Sequence, residues 1–125
     1  MYTLSKGGSY IKQDFDESRG KGKMCDAVST STSSEAAPFK FTKDGDFWTV
    51  GTDCDGDGNY TSFLNGSSDL IAARDKDTPK RQQWTVSCES GGCSFKNRHK
   101  DRYLSGTPEK PEFVSDAALW TLTST

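Results

Sequence analysis

Long apolar stretches are missing from this chain. Apolar residues make up only 31% of its 125 positions, and none of the bursts they form approaches the roughly 20 residues that a membrane-spanning helix needs. The same scarcity argues against a helical bundle built on long Leu and Ala stripes. An excess of one charge is also absent. Lys and Arg number 16 against 18 Asp and Glu, a formal charge of -2, with the basic residues read as scattered rather than gathered into a phosphate-neutralising stripe. Neither nucleic acid nor membrane insertion is expected.

Histidine occurs once, as His99 in the polar run Arg98-His99-Lys100-Asp101, where a solvated turn is the expected setting. Four cysteines are present, Cys25, Cys54, Cys88 and Cys93, but no two are spaced C-x2-C to form a zinc knuckle. No orienting third group accompanies a Cys-His pair. The expectation is a non-enzymatic protein with no metal and no cofactor. At this length the chain is read as one domain over residues 1–125.

The first eight residues hold no apolar signal segment, which fits either a cytosolic protein or a mature form with an added Met. The cysteines favour the second. In Ser-Cys-Glu-Ser-Gly-Gly-Cys (87–93) a tight turn would bring Cys88 opposite Cys93. Cys25 paired with Cys54 would join the first part of the chain to the middle. These readings point to an oxidising, extracellular setting, with which the acceptor sequons at Asn59 and Asn65 are compatible.

What the chain does contain is a succession of twelve short apolar bursts, many alternating, separated by Gly, Asp, Asn, Ser and Pro clusters. That pattern predicts an all-β fold of twelve short strands. The single helix-like segment, Ser34 to Ala37, is stopped by Pro38 after about a turn. The bursts divide into three groups of four, with repeats at about 1–45, 46–88 and 89–125. In this register Tyr2, Trp48 and Phe95 open the first strands, and Phe41, Trp84 and Trp120 mark the fourth. A rival register aligns Trp48, Trp84 and Trp120 at equal spacings of 36 residues. Both demand threefold β repetition.

With these features the chain resembles the β-trefoil, in particular its ricin-B-type and fascin-type lectin-like branches. Gln82-Gln83-Trp84 is similar to the Q-x-W motif of ricin-type repeats, Ala118-Leu119-Trp120 keeps the Trp of that motif, and residues 93–105 resemble a fascin-like hairpin. The resemblance implies a glycan-binding protein with a shallow site in the second repeat. Asn65 would meet a sugar hydroxyl, Arg74 and Gln83 would add directional contacts, and Gln82 would brace the lobe. It also leaves open a second class. Some β-trefoils inhibit proteases through an exposed loop, for which the charged stretch Asp75 to Arg81 is one candidate, making a protease or another protein the alternative partner. Asp53 to Tyr60 resembles the opening of a calcium loop, but Leu64 stands where a bidentate carboxylate is needed. That stretch is read as a hairpin turn.

Overall fold

The computed structural model describes residues 1–15, 25–54, 58, 60, 62–66, 70–73 and 79–125. Among these residues twelve strands are present: β1 Tyr2–Lys6, β2 Ser9–Phe15, β3 Cys25–Thr30, β4 Lys40–Asp44, β5 Phe47–Thr52, β6 Ser62–Gly66, β7 Leu70–Ala73, β8 Trp84–Glu89, β9 Gly92–Asn97, β10 Arg102–Gly106, β11 Pro111–Val114 and β12 Thr121–Ser124. The helix-like segment is a single 3-10 turn, Ser33–Glu35, and a second 3-10 turn spans Pro79–Gln82. Tight turns join the strands where the sequence supplies the residues for them. Gly7 and Gly8, at φ +60° and +82°, connect β1 to β2, a backbone that residues without a Cβ adopt at no steric cost.

Six strands close into a barrel. β1 pairs with β12, β4 with β5, and β8 with β9 in extended antiparallel ladders. Three single pairings complete the ring, Tyr2 with Phe39, Trp48 with Trp84, and Cys93 with Trp120. The remaining strands form the hairpins β2–β3, β6–β7 and β10–β11, one to each lobe. This is a β-trefoil of three four-stranded repeats. Closure leaves the barrel strands no free edge on which another chain could template.

The three single pairings also set the register between repeats. Phe39, Trp84 and Trp120 occupy equivalent places, each almost fully buried. Phe41, expected to match the two tryptophans, instead lines up with Val86 and Leu122, two residues further along each fourth strand, and all three pack against the core. Likewise Cys93, not Phe95, stands opposite a fourth strand as Tyr2 and Trp48 do, while Phe95 joins Leu4 and Val50 in the core. Trp48 belongs to a first strand, so the equal tryptophan spacing is not the repeat. A strand's alternation explains the two-residue offset, because both positions face the same side.

Ile11, Leu64 and Leu104 of the second strands complete the core. Their carbonyls are satisfied in a threefold manner. The Trp84 indole donates to the Leu64 carbonyl at 3.3 Å and the Trp120 indole to that of Leu104 at 3.1 Å. Phe39 has no such donor, and the backbone N–H of Ala37 donates to the Ile11 carbonyl instead, at 2.9 Å. The space among these residues amounts to about 10 Å³, no more than a single water requires. Among the described residues this part of the core leaves no room for a ligand larger than a water.

Cys88 and Cys93 form a disulfide across the β8–β9 hairpin, as expected from the sequence. Cys54 is also disulfide-bonded. The side chain of Cys25 lies outside the described residues, as do most of the calcium-like stretch and residues 74–78 of the charged stretch and its approach. Of the former stretch, the Gly58 N–H donates to the Asp53 carboxylate at 3.2 Å.

Candidate functional site

The third lobe carries an open cleft of about 340 Å³ lined by Lys96, Lys100, Asp101, Arg102, Tyr103 and Ser115. Three local structures build it. Lys96 stands on β9 directly across from Tyr103 on β10. Lys100 and Asp101 belong to the turn between those strands, and Ser115 follows the end of β11, whose Val114 pairs with Tyr103. Sequential strands joined by short connections thus bring residues up to 19 positions apart onto one wall.

One buried side chain organises the turn. Asn97, with no exposed surface, accepts through Oδ1 from the backbone N–H groups of His99 and Lys100, both at 3.0 Å. Its Nδ2 donates to the Arg81 carbonyl at 2.9 Å. The Asp101 N–H closes the turn on the Asn97 carbonyl at 2.8 Å, with Asp101 in the left-handed region at φ +55°, a conformation Asp tolerates better than most residues. Gly66 leaves the room this requires, because a Cβ there would come within 2.2 Å of the Asn97 amide. A buried amide satisfied at both ends holds its neighbours in one geometry.

The charges of the turn divide between two faces. Arg98 points toward the second lobe, donating to Gln83 Oε1 at 2.6 Å and lying 4.5 Å from the Phe47 ring centre. Toward the cleft, Lys96 pairs with Asp101 at 3.3 Å and lies 5.6 Å from the Tyr103 ring centre. Lys100 lies 5.7 Å from the Phe113 ring centre, and neither Lys100 nor Arg102 makes an ion pair among the described residues. Four of the 16 basic residues stand within the seven positions from Lys96 to Arg102, and the other twelve are spread along the rest of the chain.

The expected second-repeat site is only partly described. Asn65 lies on β6 opposite Ile71, its side chain outside the described residues, as is Arg74 altogether. Gln82 and Gln83 are buried. The Gln83 amide bridges two elements, donating to Asp44 at 2.8 Å and accepting from Arg98, while the Arg98 N–H donates to the Gln83 carbonyl at 2.9 Å. The segment before Trp84 therefore holds the β9–β10 turn in place. Residues 98–101 form the exposed turn expected from the sequence, and the cleft lies beside it. The available signal was an Asn leading into the polar run Arg98-His99-Lys100-Asp101-Arg102, since a short amide opening a turn caps backbone N–H groups and fixes the backbone that follows.

No protein-family model matches the chain, and no curated protein matches it in sequence. Solved structures do match in fold. The lysenin chain in a complex with phosphocholine superposes with a TM-score of 0.70 at 13% identity, covering 99% of this chain and 44% of that one. The chain of a lysenin pore gives 0.69 at 13% identity, with the same coverage. A designed threefold-symmetric protein, ThreeFoil, gives 0.68 at 14% identity, covering 99% of this chain and 98% of that one. This chain thus spans less than half the length of the lysenin chains and nearly the whole of the designed trefoil.

Proposed function

We propose that this β-trefoil is a non-enzymatic carbohydrate-binding protein that uses the third-lobe cleft. The observation that carries the reading is the combination of Tyr103 with Asp101, Ser115, Lys100 and Arg102 around an open volume of about 340 Å³. That volume is at the small end of ligand sites, suited to one or two sugar rings. Tyr103, with Lys96 5.6 Å from its ring centre, contributes a phenol that can donate or accept and the apolar carbons of its ring beside it. Asp101 and Ser115 supply acceptors for hydroxyl protons, and the cations supply donors. The lack of room in that part of the core supports a surface site, and the disulfides support work in an oxidising, extracellular compartment.

A glycan array with the purified protein tests this, followed by Tyr103→Ala on any hit. A selective hit competed by free sugar, and weakened by Tyr103→Ala in a folded variant, is the expected result. A blank array together with inhibition of a papain-like or trypsin-like protease would replace it with the protein-binding alternative.

A second reading comes from the lysenin complex, which contains phosphocholine. A phosphate would find Lys100 and Arg102 here. The quaternary ammonium would need an open aromatic face, and Lys96 and Lys100 already lie within about 6 Å of the Tyr103 and Phe113 rings, competing for the same quadrupole. Sedimentation with phosphatidylcholine vesicles tests this reading, binding being its expected outcome.

A further inference from the structure

Resting on the carbohydrate-binding reading, we infer that the cleft selects acidic sugars, those carrying a sulfate or carboxylate group, over neutral ones. Cations without an ion-pair partner among the described residues carry this selectivity. Lys96, Arg98, Lys100 and Arg102 against Asp101 give this seven-residue turn a net charge of +3 in a chain whose total is -2. Arg98 is taken up by Gln83 and the Phe47 ring, and Lys96 by Asp101. Lys100 and Arg102 remain facing the cleft with no ion pair among the described residues.

Two cations lining one solvated cleft raise its potential and attract an anion into it. The backbone that carries them is held in place. Lys100 is anchored through its backbone N–H to the buried Asn97 amide, and Arg102 pairs with Asn97 at the first rung of β10. A backbone already held in one geometry adds no ordering cost of its own on binding, so the charge-assisted contacts of the two side chains are offset only by the rotamer freedom those side chains lose. Arg102 suits a planar carboxylate or two sulfate oxygens through its forked donors, and Lys100 adds a point charge. Asp101 stands beside them, holding Lys96 and presenting an acceptor to sugar hydroxyls. Tyr103 flanks the same space. The neighbouring acceptor and ring distinguish this arrangement from a bare anion site, which would have no use for them.

Calorimetric titration of the whole protein with galactose, galactose 6-sulfate, glucuronic acid, inorganic sulfate and phosphocholine tests the inference. The acidic sugars are expected to bind roughly tenfold more tightly than galactose, and Lys100→Gln or Arg102→Gln to remove most of that preference. Raising salt from about 50 to 500 mM should weaken the acidic sugars and leave galactose nearly unchanged. Equal binding of galactose and galactose 6-sulfate would overturn the inference and leave the carbohydrate reading standing. Inorganic sulfate binding as tightly as the sulfated sugar, or phosphocholine binding more tightly, would also overturn it. Binding of no sugar at all would overturn both. Amide chemical shifts report independently of the variants, and a bound acidic sugar should move those of Lys100, Arg102, Tyr103 and Ser115.

Discussion

Asn97 shows how much one side chain can decide. It is polar and has no exposed surface, a combination tolerated only when its hydrogen bonds are made. Its amide makes three bonds that join Arg81, His99 and Lys100, so the residue links the approach to β8 with the turn that carries the cleft. Asn97→Ala leaves two backbone N–H groups and one carbonyl without their partner, and the expected loss of stability is about 1–3 kcal/mol. Urea unfolding measures it. Because the turn loses its anchor, ligand affinity at the cleft should fall as well, although Asn97 does not line the cleft. An unfolding midpoint equal to that of the wild type would contradict this account. In the sequence Asn97 is visible as an amide before a charged run, and its burial is not, since burial comes from Gly66 on another hairpin packing against it.

At the scale of elements, the β8–β9 hairpin was the most legible piece. Cys88, the Ser-Gly-Gly turn region and Cys93 lie within a few residues, and the register that sets Cys88 opposite Cys93 and Glu89 opposite Gly92 follows from the local chain. The disulfide closes a sequence separation of only 5 residues. Loop-closure entropy then gives at most about 2 kcal/mol, and the hairpin turn already supplies part of that ordering. Replacing both cysteines by serine should therefore lower stability modestly and leave the fold intact, with unchanged far-UV circular dichroism and a lowered melting temperature as the readout. Loss of the folded state on this double replacement would show that the bond does more than close a short loop. The Q-x-W segment was legible as a brace. The specific brace was not, because Asp44 and Arg98 reach Gln83 from two other hairpins.

Across the whole molecule the lobes are also tied at their periphery. Glu109, in the connection between β10 and β11, reaches β3 of the first lobe, where it accepts from the Ser29 backbone N–H and from the Ser29 hydroxyl, the latter at 2.8 Å. Burial by itself pushes this carboxyl's pKa up. The donors from Ser29, with its own N–H and the Thr107 hydroxyl, together outweigh burial and hold the pKa below the usual glutamate range. A depressed folded-state value means that the contact's stabilisation is complete above the unfolded-state pKa and is lost as pH falls through the folded one. Glu109→Gln should therefore flatten part of the stability loss between neutral pH and about pH 3, measured by urea unfolding across that range. Parallel pH profiles for the two proteins would remove Glu109 from the account. Its exposure keeps the expected effect small.

The sequence by itself determined the class of fold and the local units, because strand alternation, Gly and Asp turns and the short Cys spacing are properties of neighbouring residues. Twelve strands, threefold repetition and the Cys88–Cys93 pair were all readable on that basis. Tertiary structure decided which residues are equivalent and where the open site lies. Phe39 rather than Phe41 matches the tryptophans because barrel closure selects the strand pairing, a non-local choice that either aromatic's sequence position permits. The cleft likewise depends on β9, β10 and the end of β11 meeting, and on the Arg81–Gln83 backbone holding their turn. Those contacts join segments separated along the chain, and only the closed barrel brings them together.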